Sequence, residues 1–165
     1  MTYRLLPLIL TATLLPVATG YASDTDLILQ KLMPMRLVVD AAEAVIAACN
    51  IQSAHVSVVI VDQAGNIRIQ LLSDGGNFTT MDSARRKAYT AAIMGRATAD
   101  IEQQVATNPA SAPGDGNPSF LFKAGGVPIR AGGEVIGGIG VGGSGPGTDA
   151  KCAQAGIDRI QAFLK

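Results

Sequence analysis

The chain of 165 residues contains one histidine, no tryptophan, three tyrosines and four phenylalanines. With His55 alone, a metal centre built from several imidazoles is excluded. A nucleophilic triad would have to borrow the same residue. The serines of "ASAPG" and "GGSGPG" stand in no nucleophile-elbow pattern, so no catalytic residue is assigned. Charge of either sign is not in excess: 13 basic side chains face 13 acidic ones. That balance removes the electrostatic footprint of a nucleic-acid or anionic-membrane binder. Neither of the two cysteines, Cys49 and Cys152, has a second cysteine or histidine close by in sequence, which excludes a zinc site. Long apolar runs are missing too. The longest, Leu5 to Val17, is broken by Pro7 and Pro16 and falls short of the about 20 residues that span a bilayer.

That run reads instead as a secretory signal. Arg4 gives a short basic front, and Gly20-Tyr21-Ala22 places small residues where a signal peptidase reads them. The expectation is a signal peptide over 1–22 and one mature domain over 23–165, periplasmic or secreted, with no membrane contact after cleavage. An uncleaved anchor is the alternative. Losing Arg4 leaves 12 basic against 13 acidic side chains. An oxidising compartment would let Cys49 and Cys152 pair. Two small buried apolar side chains are the other reading, and sequence does not supply the Cα separation that decides between them.

Glycine is what the chain has in plenty. Nine of the sixteen residues from Gly132 to Gly147 are glycine, and Gly140, Gly142 and Gly145 spell G-x-G-x-x-G. A dinucleotide site needs that turn to open a β-α-β unit with a later strand. Only twenty residues follow Gly145, enough for one helix. The pleat gives another account: Val135, Gly137, Ile139 and Val141 point one way, Glu134, Ile136, Gly138, Gly140 and Gly142 the other. A strand face without side chains implies close approach by another body. The alanine-faced helix after Thr80 is the first candidate, ahead of a neighbouring subunit or a flat ligand.

Around that strand the periodicities predict a helix over Met35 to Cys49 and a hairpin closed by "DQAGN". A second helix capped by Thr79 or Thr80, with Asp82 favourably placed, bends or ends at Gly95, and Thr98 caps a shorter continuation. "TNPASAPGDGNPS" is a loop, read as a connection or a lid over a site. A second hairpin turns at Gly132-Gly133, and a last helix carries Ala153, Ile157, Ile160 and Leu164 on one stripe, with Asp149 and Lys165 suiting its dipole. Phe120 to Phe122 is a candidate fifth strand. The fold class is α+β: a mainly antiparallel sheet of four to five strands with helices packed on it, order α-β-β-α-(β)-β-β-α.

Arg85, Tyr89 and Arg96 share a predicted helix face, two fixed positive charges beside a ring. Such a face suits a flat dianionic ligand, while a solvated face or an oligomer contact has the same pattern. Three ordered segments then carry a resemblance: "VSVVIVDQAGNIRIQLLSDGG", "SARRKAYTAA" and "GGVPIRAGGEVIGGIGVGGSGPGTDAKCAQAGI". Together they resemble the GlcG/HbpS-like haem-binding family, the haem-degrading domain, from about Leu37 to Ile160. The matching positions include Val58 to Asp62, Gly65, Asn66, Lys87, Ala88, Gly126 to Ile129, Ile136 to Val141 and Gly143. The resemblance implies a small α+β domain, symmetric homo-oligomers and, in some members, binding or slow breakdown of haem. It does not supply an iron ligand, because members that use a late histidine are matched here by a chain with none after His55. His55 and Tyr89 stand as metal candidates, with Met81 and Met94 behind them. The expected haem site takes His55, Arg85, Tyr89, Arg96, Phe120 and Phe122. A scaffold without haem and an organic-acid module using the "GSGPG" amides are the rival expectations.

Overall fold

Helical spacing of apolar residues produces the first element. Leu37, Val38, Ala41, Ala42, Val45 and Cys49 form the buried stripe of helix α1, Met35–Asn50. Its first turn is set by the Pro34 carbonyl, which accepts from the N–H groups of Leu37 and Val38. The computed structural model describes residues 30–51, 53–114 and 116–165. The expected signal segment and the expected start of the mature chain at Ser23 lie outside the described residues.

Strands β1 (Ser57–Asp62) and β2 (Ile67–Leu72) pair antiparallel. The Asp62 carboxylate closes their turn by accepting from the Ala64 and Asn66 amides at 3.0 and 2.9 Å. Strands β3 (Gly126–Ala131) and β4 (Glu134–Gly142) form the second hairpin. Gly132 and Gly133, at φ 59° and 85°, supply the left-handed backbone its two-residue turn requires. The sheet order is β2-β1-β4-β3, every pair antiparallel. Pro128 therefore stands on an edge strand, where its missing amide costs nothing. Phe120 to Phe122 adds no strand, so the described sheet has four. No helix among the described residues is long and apolar enough to cross a membrane.

Helix α2, Phe78–Met94, is capped by Asn77 and not by Thr79 or Thr80. The Asn77 side chain accepts from the amides of Thr79 and Thr80, and the Thr80 hydroxyl returns the favour to the Asn77 backbone. Asp82 consequently falls beyond the first turn and pairs with Arg85 at 2.9 Å. Gly95, in the left-handed region at φ 61°, ends the helix. In helix α3 (Thr98–Thr107) Thr98 is the first helical residue, not the cap. Its hydroxyl instead accepts from the Gly126 amide and donates to the Lys123 carbonyl. Helix α4 spans Pro146–Ile160 and runs antiparallel beside α1.

The two sheet faces carry unequal cores. Val56, Val58 and Ile60 pack with α1 and α4 in the larger one. Val59 and Val61 pack with Ala84, Ala88 and Ala92 of α2 in the smaller. The bare strand is the reason α2 comes so near. A Cβ built on Gly140 or Gly138 would run into the carbonyl oxygens of Ala84 and Ala88, and one on Gly142 would stand 2.7 Å from the Thr80 carbonyl. The expected alternation holds for these three and breaks at a bulge between Ile129 and Arg130. Past it, Ile136 turns into the α1/α4 core and Val135 lies against Gly95 at the end of α2.

Cys49 and Cys152 are bonded, Cα atoms 5.6 Å apart, both fully buried between α1 and α4. The bond closes a loop of sequence separation 103. In the chain-entropy account that constrains the unfolded state by about 4.7 kcal/mol at most.

Candidate functional site

The only histidine stands where the chain enters β1. On either side its neighbours are fixed by hydrogen bonds: the Val56 amide donates to the Ser73 hydroxyl at 2.7 Å and Ser73 returns its own amide to the Val56 carbonyl at 2.9 Å. Asp74, the next residue, presents its backbone carbonyl to Nδ1 of His55. A carbonyl oxygen only accepts, so Nδ1 is the donor in this bond, which selects the tautomer of the neutral ring with Nε2 as its acceptor nitrogen. No side chain stands between ring and backbone: a Cβ on Gly75 would sit 2.9 Å from Nδ1. The ring itself is exposed.

Two adjoining hollows meet at this ring. One, of about 550 Å³, is lined by Ile46, Asn50, Ala54, Leu72 and Asp74. The other, about 390 Å³, is lined by Ser53, Gly143, Ser144 and Thr148. One wall is thus the end of α1 and the turn after it, and the opposite wall is the start of α4. Both volumes lie in the range of small-molecule sites. The lining mixes apolar surface from Ile46, Ala54 and half-exposed Leu72 with the hydroxyls of Ser53, Ser144 and Thr148.

The other expected site residues are distributed differently. Tyr89, Phe120 and Phe122 come together, ring centroids 5.5 and 6.1 Å apart in series. Tyr89 lies over Gly65 in the β1–β2 turn, and Phe120 over Gly114 of the Pro/Gly loop. That loop therefore packs on the aromatic cluster. Arg85 is held by Asp82, and Arg96 donates to Gln104 at 2.8 Å across a shallow polar hollow on α3. His55 and Gly65 stand beyond opposite ends of β1, roughly 23 Å apart at the rise of an extended strand. Within one protomer, one metal ion could therefore not be shared by His55 and Tyr89. Among the described residues no three His, Cys, Asp or Glu side chains cluster as metal ligands.

One buried charge pair supports the second wall. Lys87 Nζ of α2 donates to the Asp149 carboxylate at 2.7 Å and to the Val141 carbonyl at 2.9 Å. The other oxygen of Asp149 accepts from the amide and hydroxyl of Ser144, at 3.0 and 2.6 Å. Both charged side chains are almost wholly buried, at 4% and 2% exposure. Sequence had offered Asp149 only as a helix-dipole charge. Its role needs Lys87, 62 residues away, and the matched Lys87 of "SARRKAYTAA" was the one available signal. Burial pushes the Glu102 carboxyl upward, but the Ala124 amide and the Lys123 ammonium outweigh it and hold it below its ordinary value.

Known proteins agree with this architecture. The family model described as "Haem degrading protein HbpS-like" matches residues 34–158. A double mutant of HbpS from Streptomyces reticuli is 33% identical, with a TM-score of 0.76 over 91% of this chain and 99% of that one. The ORFY protein of Klebsiella pneumoniae is 24% identical over 86% of this chain and 99% of its own, TM-score 0.75. A PduOC domain solved as a haem complex is 23% identical over 79% and 96%, TM-score 0.73. At those two lower identities the likeness shows the fold. No curated protein sequence matches the chain.

Proposed function

The chain belongs to the HbpS-like family of haem-degrading proteins, and from that premise we propose that it binds haem in the groove around His55. The observation that carries the reading is the hydrogen bond from His55 Nδ1 to the Asp74 carbonyl. Histidines that ligate metals characteristically donate their second ring nitrogen to a carbonyl or carboxylate, which fixes the ring and leaves the other nitrogen free to coordinate. A porphyrin also brings four of its iron's ligands, so a single protein imidazole is a sufficient offer. A bare metal ion would need a ligand cluster of the kind absent among the described residues.

In this reading Ile46, Ala54 and Leu72 meet the apolar porphyrin face, and the hydroxyls of Ser53, Ser144 and Thr148 serve its carboxylates. Bound haem would supply any oxygen chemistry; the chain's part is to bind and orient it. Arg85 and Arg96 are committed to protein partners and are left out of the site. Titration of the purified protein with haemin tests the proposal. The expected result is a saturable Soret shift that His55→Ala weakens about tenfold or more and Tyr89→Phe leaves unchanged. Featureless, non-saturating adsorption rejects haem. Loss in Tyr89→Phe with retention in His55→Ala moves the iron to the aromatic cluster.

The proposal extends to setting and assembly. A buried disulfide supports an exported protein in an oxidising compartment. The edge strand β2 leaves Ile67 and Leu72 about half exposed, which supports a homo-oligomer. Native mass spectrometry should show a defined multimer without added ligand, and a monomer at micromolar concentration would remove that part.

A further inference from the structure

Resting on the His55 reading, we infer that the Cys49–Cys152 disulfide is a positioning element of the haem groove and not only a staple of the fold. Helices α1 and α4 touch closely where Gly156 meets Val45 and the Ala41 carbonyl. The next contact toward the groove is the disulfide itself, at Cys49 and Cys152. Beyond it the two helices lead into the segments that line the hollows, with Asn50, Ser53 and Ala54 on one side and Ser144 and Thr148 on the other. The bond thus sits at the base of the opening between them.

The connection to the ligand nitrogen is short. The Cys49 carbonyl accepts from the Ala54 amide at 3.2 Å, and Ala54 immediately precedes His55. The intervening turn is held in an uncommon shape: Ser53 has φ 53°, the left-handed region, a conformation that persists only where its surroundings impose it. On the other side, Cys152 lies one helical turn after Thr148 and next to the turn in which Asp149 holds Ser144. Lys87 anchors that second wall from α2. On the first wall, the last turn of α1 and the turn after it are tied by backbone bonds and the disulfide, while the far side of His55 is held from the end of β2 by the Ser73 hydroxyl and the Asp74 carbonyl. Removing the bond therefore loosens the turn that leads into His55, which Ala54 ties to α1 through the Cys49 carbonyl, while the other wall stays pinned.

The test compares wild type with Cys49→Ala/Cys152→Ala and with Ile160→Ala, which opens the same helix pair at its far end. Two measurements are made on the full chain well below its melting temperature. Hydrogen exchange without ligand should accelerate at least tenfold at the Ala54 amide, which donates to the Cys49 carbonyl, in the cysteine variant, and not in Ile160→Ala. Haemin affinity should fall about tenfold in the cysteine variant, with a changed Soret position, and stay near wild type in Ile160→Ala. Equal effects in both variants, or none in either, overturn the inference. If wild type takes no haemin, the His55 reading fails separately, and the exchange result still decides whether the bond orders this wall. Should the cysteine variant not fold, wild type treated with dithiothreitol replaces it: the reagent closes to its cyclic disulfide as Cys49 and Cys152 gain two electrons and two protons. A reduced, folded protein with unchanged exchange and affinity is again a refutation.

Discussion

Alanine placed at three glycines of one segment separates close approach from backbone shape. At Gly140 the new Cβ would lie 3.0 Å from the Ala88 Cα and closer still to the Ala84 carbonyl and the Ala88 amide. Every one of these is a backbone atom, so no side chain can swing aside. Carbon atoms prefer about 3.5–4.0 Å and the tightest clash is with the Ala84 carbonyl, so α2 must lift by about 1 Å or more, which forfeits about half of each contact it makes there. Overpacking of this kind costs about 1–3 kcal/mol, and the rigidity of the neighbours places Gly140→Ala at about 3. At Gly133 nothing lies within 4 Å, but φ is 85°, and a side chain in that region costs about 1–2 kcal/mol. Gly147 has neither obstacle and sits in the first turn of α4. There alanine should be neutral or stabilise by up to about 1 kcal/mol. Thermal melts read the series: a drop of about 10 °C for Gly140→Ala, a few degrees for Gly133→Ala, and none for Gly147→Ala. If Gly140→Ala melts with Gly147→Ala, the account of the bare strand as a seat for α2 is refuted.

Asp149→Asn leaves the Lys87 ammonium buried without a counter-charge and should cost about 3–5 kcal/mol in urea unfolding. The double change Lys87→Met/Asp149→Leu should recover much of that loss, because it removes both desolvated charges, and no recovery would refute desolvation as the source. Glu102 gives a pH prediction. Its folded pKa lies below the ordinary 4.5, so the unfolded chain binds protons first and the tie to Lys123 and Ala124 stabilises fully above that value. The contribution disappears as pH falls through the lowered folded pKa. Glu102→Gln should therefore flatten the acid limb of melting temperature against pH, and an unchanged slope would show that the tie adds nothing.

Much of the fold was legible because it rests on local rules. Period and turn chemistry placed both hairpins and three of the helices, and the hairpin arm that precedes the glycines argued against the dinucleotide reading before any coordinate was needed. The errors fell where two local choices were nearly equal in energy. Asn77, Thr79 and Thr80 all make good caps, and only the reciprocal bonds of Asn77 with Thr80 select the first. The strand alternation failed at Ile136 because a bulge is set by cross-strand register, which one strand's sequence does not encode.

By itself, then, the sequence determined what a chain reads from its neighbours within a few residues: the elements, their order, the bare face of β4 and the singularity of His55. Tertiary structure decided the associations between distant residues. It joined Cys49 to Cys152 and Lys87 to Asp149. It set Tyr89 and His55 beyond opposite ends of a strand, and it turned Asp74 so that its carbonyl accepts a hydrogen bond from Nδ1 of His55. The reason is physical: periodicity and turn propensity act along the chain, whereas a partner's distance and direction depend on how whole elements pack.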